Sequence, residues 1–347
     1  MSHPATAGDE KDRGMTDLSD AAPTGSVPTW ERPPFFVTGY VRSGTTLFRR
    51  MLDMHPELSV LEELDDFQRI PRMVGKGIED ETGLKAFVEA LPVFYTATVY
   101  DPERFLAIAV PRLPLAVQDV ISLLKSSARI MANKPGARCG HKEPHEWPYV
   151  YRLRDWYPEG QFLHIVRRPH DVAASVEHYN KDVGLHSVST TPVISAWHWR
   201  TSYRSVRAQG ETLGPARYFF LRYEDLVEDP RAMLGRITAF LEVSPDGVTQ
   251  MTEFYKKPLD RHDGAHMTRA RQPVSKEAES RGERSLSEAT RRDIDWICRR
   301  EIAALGYAPL AEGEAGPLRK LTLGVMCFGY DGAWALMRAA RKLRGQL

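Results

Sequence analysis

An α/β fold built on a mostly parallel, doubly wound sheet is what this sequence of 347 residues predicts. Three observations point there. Short apolar runs end abruptly in glycine or arginine, as strands buried on both faces of a parallel sheet do. Amphipathic helical stretches alternate with those runs, the pattern of strand–helix–strand crossovers. The polar residues with chemistry to offer fall directly after the runs, and ligands of such sheets gather at the carboxyl ends of the strands.

Taken in order, residues 1–33 are polar, small and proline-rich with no apolar core, so they read as a disordered leader, neither signal peptide nor membrane span. Phe35–Thr38 (FFVT) is the first buried strand, closed by Gly39. The stretch TTLFRRMLDMH carries Leu47, Met51 and Met54 at helical spacing and stops at a His-Pro pair. From about residue 64 to 135 the pattern is helical, as in LKAFVEALPVFY and AVQDVISLLKSSARIM, and this insertion is placed to form a cap over an acceptor. ARCGHKEP (137–144) is a short strand with a polar end, GQFLHIVRRP (160–169) a clear core strand, and DVAASVEHYN a helix with Asp171 at its N-terminus. ARYFFLRYEDL (216–226) is a third buried run, followed by one amphipathic helix, DLVEDPRAMLGRITAFLEV.

Composition narrows the function. A hydrophobic fraction of 42%, a charged fraction of 27% and a net charge of +1 describe an ordinary globular chain with no global field for nucleic acid. Cys139, Cys298 and Cys327 lie far apart in no metal or disulfide pattern, consistent with thiols in a reducing, cytoplasmic setting. No apolar run is long enough to span a membrane.

The loop after the first strand carries the chemistry. Gly39 and Gly44 stand at the spacing of a phosphate-binding loop, but Thr45 and Thr46 follow where Lys and Ser/Thr are expected, and the cation sits inside the loop at Arg42. A helix N-terminus offers backbone N–H groups and a positive dipole end to an anion. Gly44 allows close approach, Ser43, Thr45 and Thr46 add hydroxyls, and Arg42 presents a planar fork. Without the lysine, and without an acidic partner for magnesium, ordinary ATP hydrolysis is disfavoured. A tight turn with a surface arginine is the plainer alternative. A second motif, FLHIVRRPHDVAASV, places Arg167 at a strand end and Ser175 eight residues later on a helix. Two such clamps fit a nucleotide phosphorylated at both its 5′ and 3′ positions.

FFVTGYVRSGTTLFRRMLDMHPELSVLEE resembles the 5′-phosphosulfate loop of sulfotransferases that use 3′-phosphoadenosine-5′-phosphosulfate (PAPS), and FLHIVRRPHDVAASV resembles their 3′-phosphate motif. YFFLRYEDLVEDP is similar to a further recurring segment, and the RSGTT…HP…EE version is nearest the branch of tyrosylprotein sulfotransferases and bacterial relatives. The resemblance runs from about Phe35 to Val243. It implies a P-loop-like fold and transfer of a sulfuryl group from PAPS to a hydroxyl or amine, releasing PAP, with no required metal. The chain then divides into a sulfotransferase domain over 34–310, with its cap at about 64–135, and a basic, apolar tail at 311–347. A glutamate in this branch serves as base, which spacing from Arg42 assigns to Glu63, then Glu62; other sulfotransferases use a histidine, for which His145 is the candidate. Lys142 matches a lysine that supports the transferring group, a solvated strand-end lysine being the alternative, and Tyr223 is either a nucleotide contact or a core tyrosine whose hydroxyl reaches the surface. The family closes over the 3′-phosphate with a basic segment; Arg269 and Arg271 are available, though no motif selects either.

Two features stay open. Trp197 and Trp199 can line an acceptor pocket or simply pack, as can Phe87, Phe94, Tyr95 and Phe105 of the cap. Residues 318–347 hold six Lys or Arg against Asp331 alone and are apolar besides, so they can contact an anionic membrane; Gly324, Gly329 and Gly332 weaken them as a single helix. The acceptor itself, a small molecule, glycan, lipid or peptide, is not specified. A P-loop kinase or NTPase, or a PAP-binding module without catalysis, are the competing readings.

Overall fold

The computed structural model describes residues 33–61, 66–91, 100–127, 134, 136–142, 150–182, 191–256, 272–273 and 280–343. Its centre is a five-stranded sheet in the order β2-β5-β1-β6-β7, with β1 Phe35–Thr38, β2 Leu58–Leu61, β5 Arg138–Lys142, β6 Gln161–Val166 and β7 Tyr218–Arg222. All four pairings are parallel, so every strand ends on the same edge. A separate antiparallel pair, β3 Gly77–Ile78 and β4 Leu115–Ala116, lies within the helical insertion.

Alternation along the strands divides the core. Phe35, Val37, Leu163 and Ile165 face the loop helix, Thr45–Asp53, through Met51 and Leu52, and the Pro230–Phe240 helix through Leu234 and Ile237. Phe36 and Phe162, one residue out of phase, face the helical insertion through Phe67, Phe105 and Val120. Val166 continues that second face among Trp197, Trp199 and Ile294. β1 and β6 are buried along their whole length, which is why both read as unbroken apolar runs.

The structure departs from the sequence expectations in three places. LSVL, to which the sequence assigns no element, is a strand; at four residues beside a helix C-terminus it has no length to show its period. The helix expected over DLVEDPRAMLGRITAFLEV is two, Tyr223–Glu228 and Pro230–Phe240, because Pro230 cannot continue a helix and instead opens the next one, capped by Asp229. Residues Pro317–Leu343 form one helix despite their three glycines. Packing on the domain compensates for the glycines' low propensity: Leu323 and Cys327 are buried, and Asp331 accepts from Arg200 and from the Trp197 indole.

Phe87 and Phe105 are buried against each other with ring centroids 6.0 Å apart, and Tyr100 meets Phe105 at 5.6 Å, so these rings form the core of the insertion. Phe94, Tyr95 and the leader up to residue 32 lie outside the described residues. Among the described residues no helix is long and apolar enough to cross a membrane.

Candidate active site

Three neighbouring strands, β5, β1 and β6, each deliver a cation to one edge of the sheet. Lys142 is the last residue of β5, in register with Val37 of β1, and is buried. Arg42 lies in the loop after β1, and Arg167 directly follows β6, also buried. The sheet order therefore gathers three cations that lie far apart along the chain.

The loop is held open by its own backbone. Arg42 takes a left-handed conformation (φ 65°), as does Gly44 (φ 93°), which caps the helix without a side-chain hydrogen bond. Only a residue without a Cβ fits at Gly44: an added Cβ would stand 2.4 Å from the Tyr223 ring. Ser43 Nα donates to the Tyr40 carbonyl (3.2 Å), closing the turn, while the buried Ser43 hydroxyl has no hydrogen-bond partner among the described residues. Thr45 is buried and Thr46 half-buried in the first helical turn. Turn, hydroxyls and uncapped amides together make an anion cradle.

The second motif meets the first directly. Arg42 Nε donates to Ser175 Oγ at 3.1 Å, and its guanidinium lies over Tyr179, 5.3 Å from the ring centroid. Tyr223, buried at the start of its helix, packs on Gly44 with one edge and carries the Arg167 guanidinium over its ring at 4.6 Å. Tyr223 thus bridges the two arginine-bearing loops.

A shell of hydrogen bonds fixes the β6 end. The Trp199 indole donates to the Arg167 carbonyl (3.0 Å), and Arg168 Nα donates to Glu224, which also accepts from the Tyr307 hydroxyl at 2.6 Å. Trp197 and Trp199 are both buried in helix packing. Arg281, which no sequence motif singled out, is a further candidate. Asp171 accepts from Gly282 Nα at 2.7 Å, and Gly282 lies so near His170 that a Cβ would stand 2.5 Å from it. Arg281 is thereby set beside the Pro169–Asp182 helix. With Ala174, Glu177, His178, Lys181 and Ser285 it lines a cavity of about 240 Å³, on the helix that carries Ser175. An Arg-Gly pair opening a short helix was the available signal.

Glu62, Glu63, His145, Arg269 and Arg271 lie outside the described residues. The strand that leads to the glutamates is described: Leu61 pairs with His141, the neighbour of Lys142. Among the described residues no three His, Cys, Asp or Glu side chains are grouped as a metal site requires. His141 itself faces the core, stacked on Phe36, where burial and the charge of Lys125 hold it well below the usual imidazole range.

A sequence model of the sulfotransferase family matches residues 33–246. The chain is 24% identical over 215 residues to protein-tyrosine sulfotransferase A of Caenorhabditis elegans, covering 62% of this chain and 51% of that protein. It is 25% identical over 240 residues to the omega-hydroxy-beta-dihydromenaquinone-9 sulfotransferase Stf3 of Mycobacterium bovis, covering 59% and 61%. The chain thus spans about half the length of such curated relatives. The sulfotransferase domain of the Synechococcus PCC 7002 olefin synthase superposes with a TM-score of 0.54 at 21% identity, over 83% of this chain and 98% of that one, and so shares its fold.

Proposed function

The chain belongs to the sulfotransferase family, and we propose that it transfers a sulfuryl group from PAPS to a hydroxyl of its acceptor, releasing PAP. The observation that carries this reading is the bond from Arg42 to Ser175, which joins a 5′-phosphate loop to a 3′-phosphate motif in one site. A donor phosphorylated at both ends of its ribose needs such a joined site, whereas a nucleoside triphosphate has no use for the second clamp.

The residues fit the donor. The unpartnered Ser43 hydroxyl and the uncapped helix start suit its 5′ end, and Ser175 and Arg167 suit its 3′-phosphate, with Arg281 a further candidate beside the helix that carries Ser175. When bound, PAPS supplies a sulfuryl group attached to a phosphate that can leave. Arg42 neutralises charge that develops on the leaving oxygen, and Lys142 faces the transferring group from β5. Preorganised donors of this kind are worth about 100- to 1,000-fold each in rate. Glu63, just beyond β2, takes the proton of the acceptor hydroxyl, with Glu62 and His145 the alternatives. Related proteins are named for a protein tyrosine and for a hydroxylated menaquinone, both hydroxyl acceptors, which supports a hydroxyl over an amine.

The test is to incubate the protein with sulfur-labelled PAPS and an extract of its native cell, then identify the labelled product. Calorimetry with PAP and with ATP separates the alternatives. A kinase would turn over ATP with magnesium, and a non-catalytic module would bind PAP and label nothing.

A further inference from the structure

Five large apolar side chains are left in water among the described residues, and all five stand on the Pro317–Leu343 helix: Leu318 (78% exposed), Leu321 (65%), Val325 (65%), Phe328 (82%) and Leu336 (74%). At 3.6 residues per turn they share an arc of about 80°. Gly329, Gly332, Ala335 and Ala339, exposed too, fall on the same side and widen it.

No charged residue of 318–340 falls on this side. Arg319 pairs with Asp293, Lys320 with Glu314, Asp331 with Arg200, and Arg338 donates to the Tyr151 hydroxyl. Leu323 and Cys327 pack into the core on the opposite face. The helix is thus held on the domain by one side and presents the other, an uninterrupted apolar stripe.

We propose that this stripe lies in the surface of an anionic lipid bilayer. Charge complementarity selects the occupant. Beyond Asp331 the sequence carries Arg338, Arg341, Lys342 and Arg344 and no acidic residue, so the sequence that continues the stripe is strongly basic. An apolar face beside a cationic flank is the composition of a helix lying in the headgroup layer, where Leu and Phe enter the acyl boundary and Lys and Arg meet anionic headgroups. The helix is not apolar enough to cross. A second copy of the chain is the competing occupant, and the oligomeric state of the folded protein separates it from the bilayer.

Flotation of the full chain with phosphatidylglycerol–phosphatidylcholine vesicles, and with phosphatidylcholine alone, tests this. The expected result is flotation with the anionic vesicles, reduced in high salt and on phosphatidylcholine. Phe328→Asp should lower partitioning at least about tenfold, as should Leu321→Asp, since each removes one side chain's apolar contact. Arg341→Glu with Lys342→Glu should weaken binding to anionic vesicles only. Unchanged circular dichroism and melting temperature show that the variants remain folded. Absence of flotation by the folded wild type overturns the proposal, as does equal flotation of Phe328→Asp. A solution dimer that Phe328→Asp dissociates, without vesicle binding, assigns the stripe to a second copy and overturns it too.

Discussion

Arg42 Nε donates to the Ser175 hydroxyl across 133 residues of sequence, at 3.1 Å, from a backbone held at a positive φ. That bond and that backbone together fix the orientation of the guanidinium fork. Arg42→Ala should lower transfer from labelled PAPS by about 100- to 1,000-fold. Arg42→Lys keeps the charge but loses the planar pair of donors, so it should recover only part of that loss. Equal activity in Arg42→Lys and wild type would show that charge alone matters at this position.

Gly44 leaves room for one thing, the edge of the Tyr223 ring. Gly44→Ala puts a methyl where that ring stands and strains a backbone at φ 93°, so it should cost about 1–3 kcal/mol in stability and abolish detectable PAP binding. Adding Tyr223→Ala relieves the clash and not the strain. The double variant should regain part of the stability lost in Gly44→Ala, measured by urea unfolding, without regaining PAP affinity, because Tyr223 also supports Arg167. Full additivity of the two losses would deny that they share a contact.

Arg167 should read the 3′-phosphate. Arg167→Ala is expected to weaken PAP by about 10- to 100-fold, the size of a lost charge-assisted contact, while 5′-AMP affinity changes little. Arg281→Ala should act in the same direction. Calorimetry with the two nucleotides on each variant gives the answer, and a loss shared equally by both would move these arginines away from the 3′ end.

Much of this site was legible because each part is local. A glycine spacing, an arginine after an apolar run and a serine eight residues on are all properties of short segments. What joins them is not local. Tyr223 bridges Gly44 and Arg167 only because β7 lies beside β6, and strand order is not written in any one segment. The place of the candidate Arg281 was not legible for the same reason: it depends on the Gly282–Asp171 bond, across 111 residues. β2 was too short to show a period, and the last helix overrode its glycines through contacts with Trp197 and Arg200 that propensity does not contain.

Glu63 follows a strand whose last described residue is in register with His141, next to Lys142. Glu63→Gln should reduce transfer by about 100- to 10,000-fold and leave PAP affinity unchanged, since the base serves the acceptor. Glu62→Gln and His145→Asn, measured alongside, decide among the three. The base is the one whose removal also abolishes the acid limb of the kcat/KM profile.

Acid should destabilise the fold through a buried histidine away from the site. His164 sits in the middle of β6, with Nδ1 2.7 Å from the Tyr218 hydroxyl, and burial, reinforced by the Arg207 charge, lowers its pKa to about 3. Unfolded, the same imidazole titrates near 6.5. The folded state therefore binds the proton less well than the unfolded state. Between about pH 6.5 and 3 the unfolded chain takes up a proton that the folded chain refuses, so stability falls as pH falls, by up to about 1.4 kcal/mol per pH unit. His141, shifted in the same direction, adds to the slope. Above pH 7 both are neutral in either state and contribute no pH dependence. Melting temperatures from pH 7.5 to 4.5 should fall steeply in the wild type and less steeply in His164→Gln, even if that variant begins lower at pH 7.5. Parallel curves for the two proteins would mean that His164 already accepts its proton in the folded state.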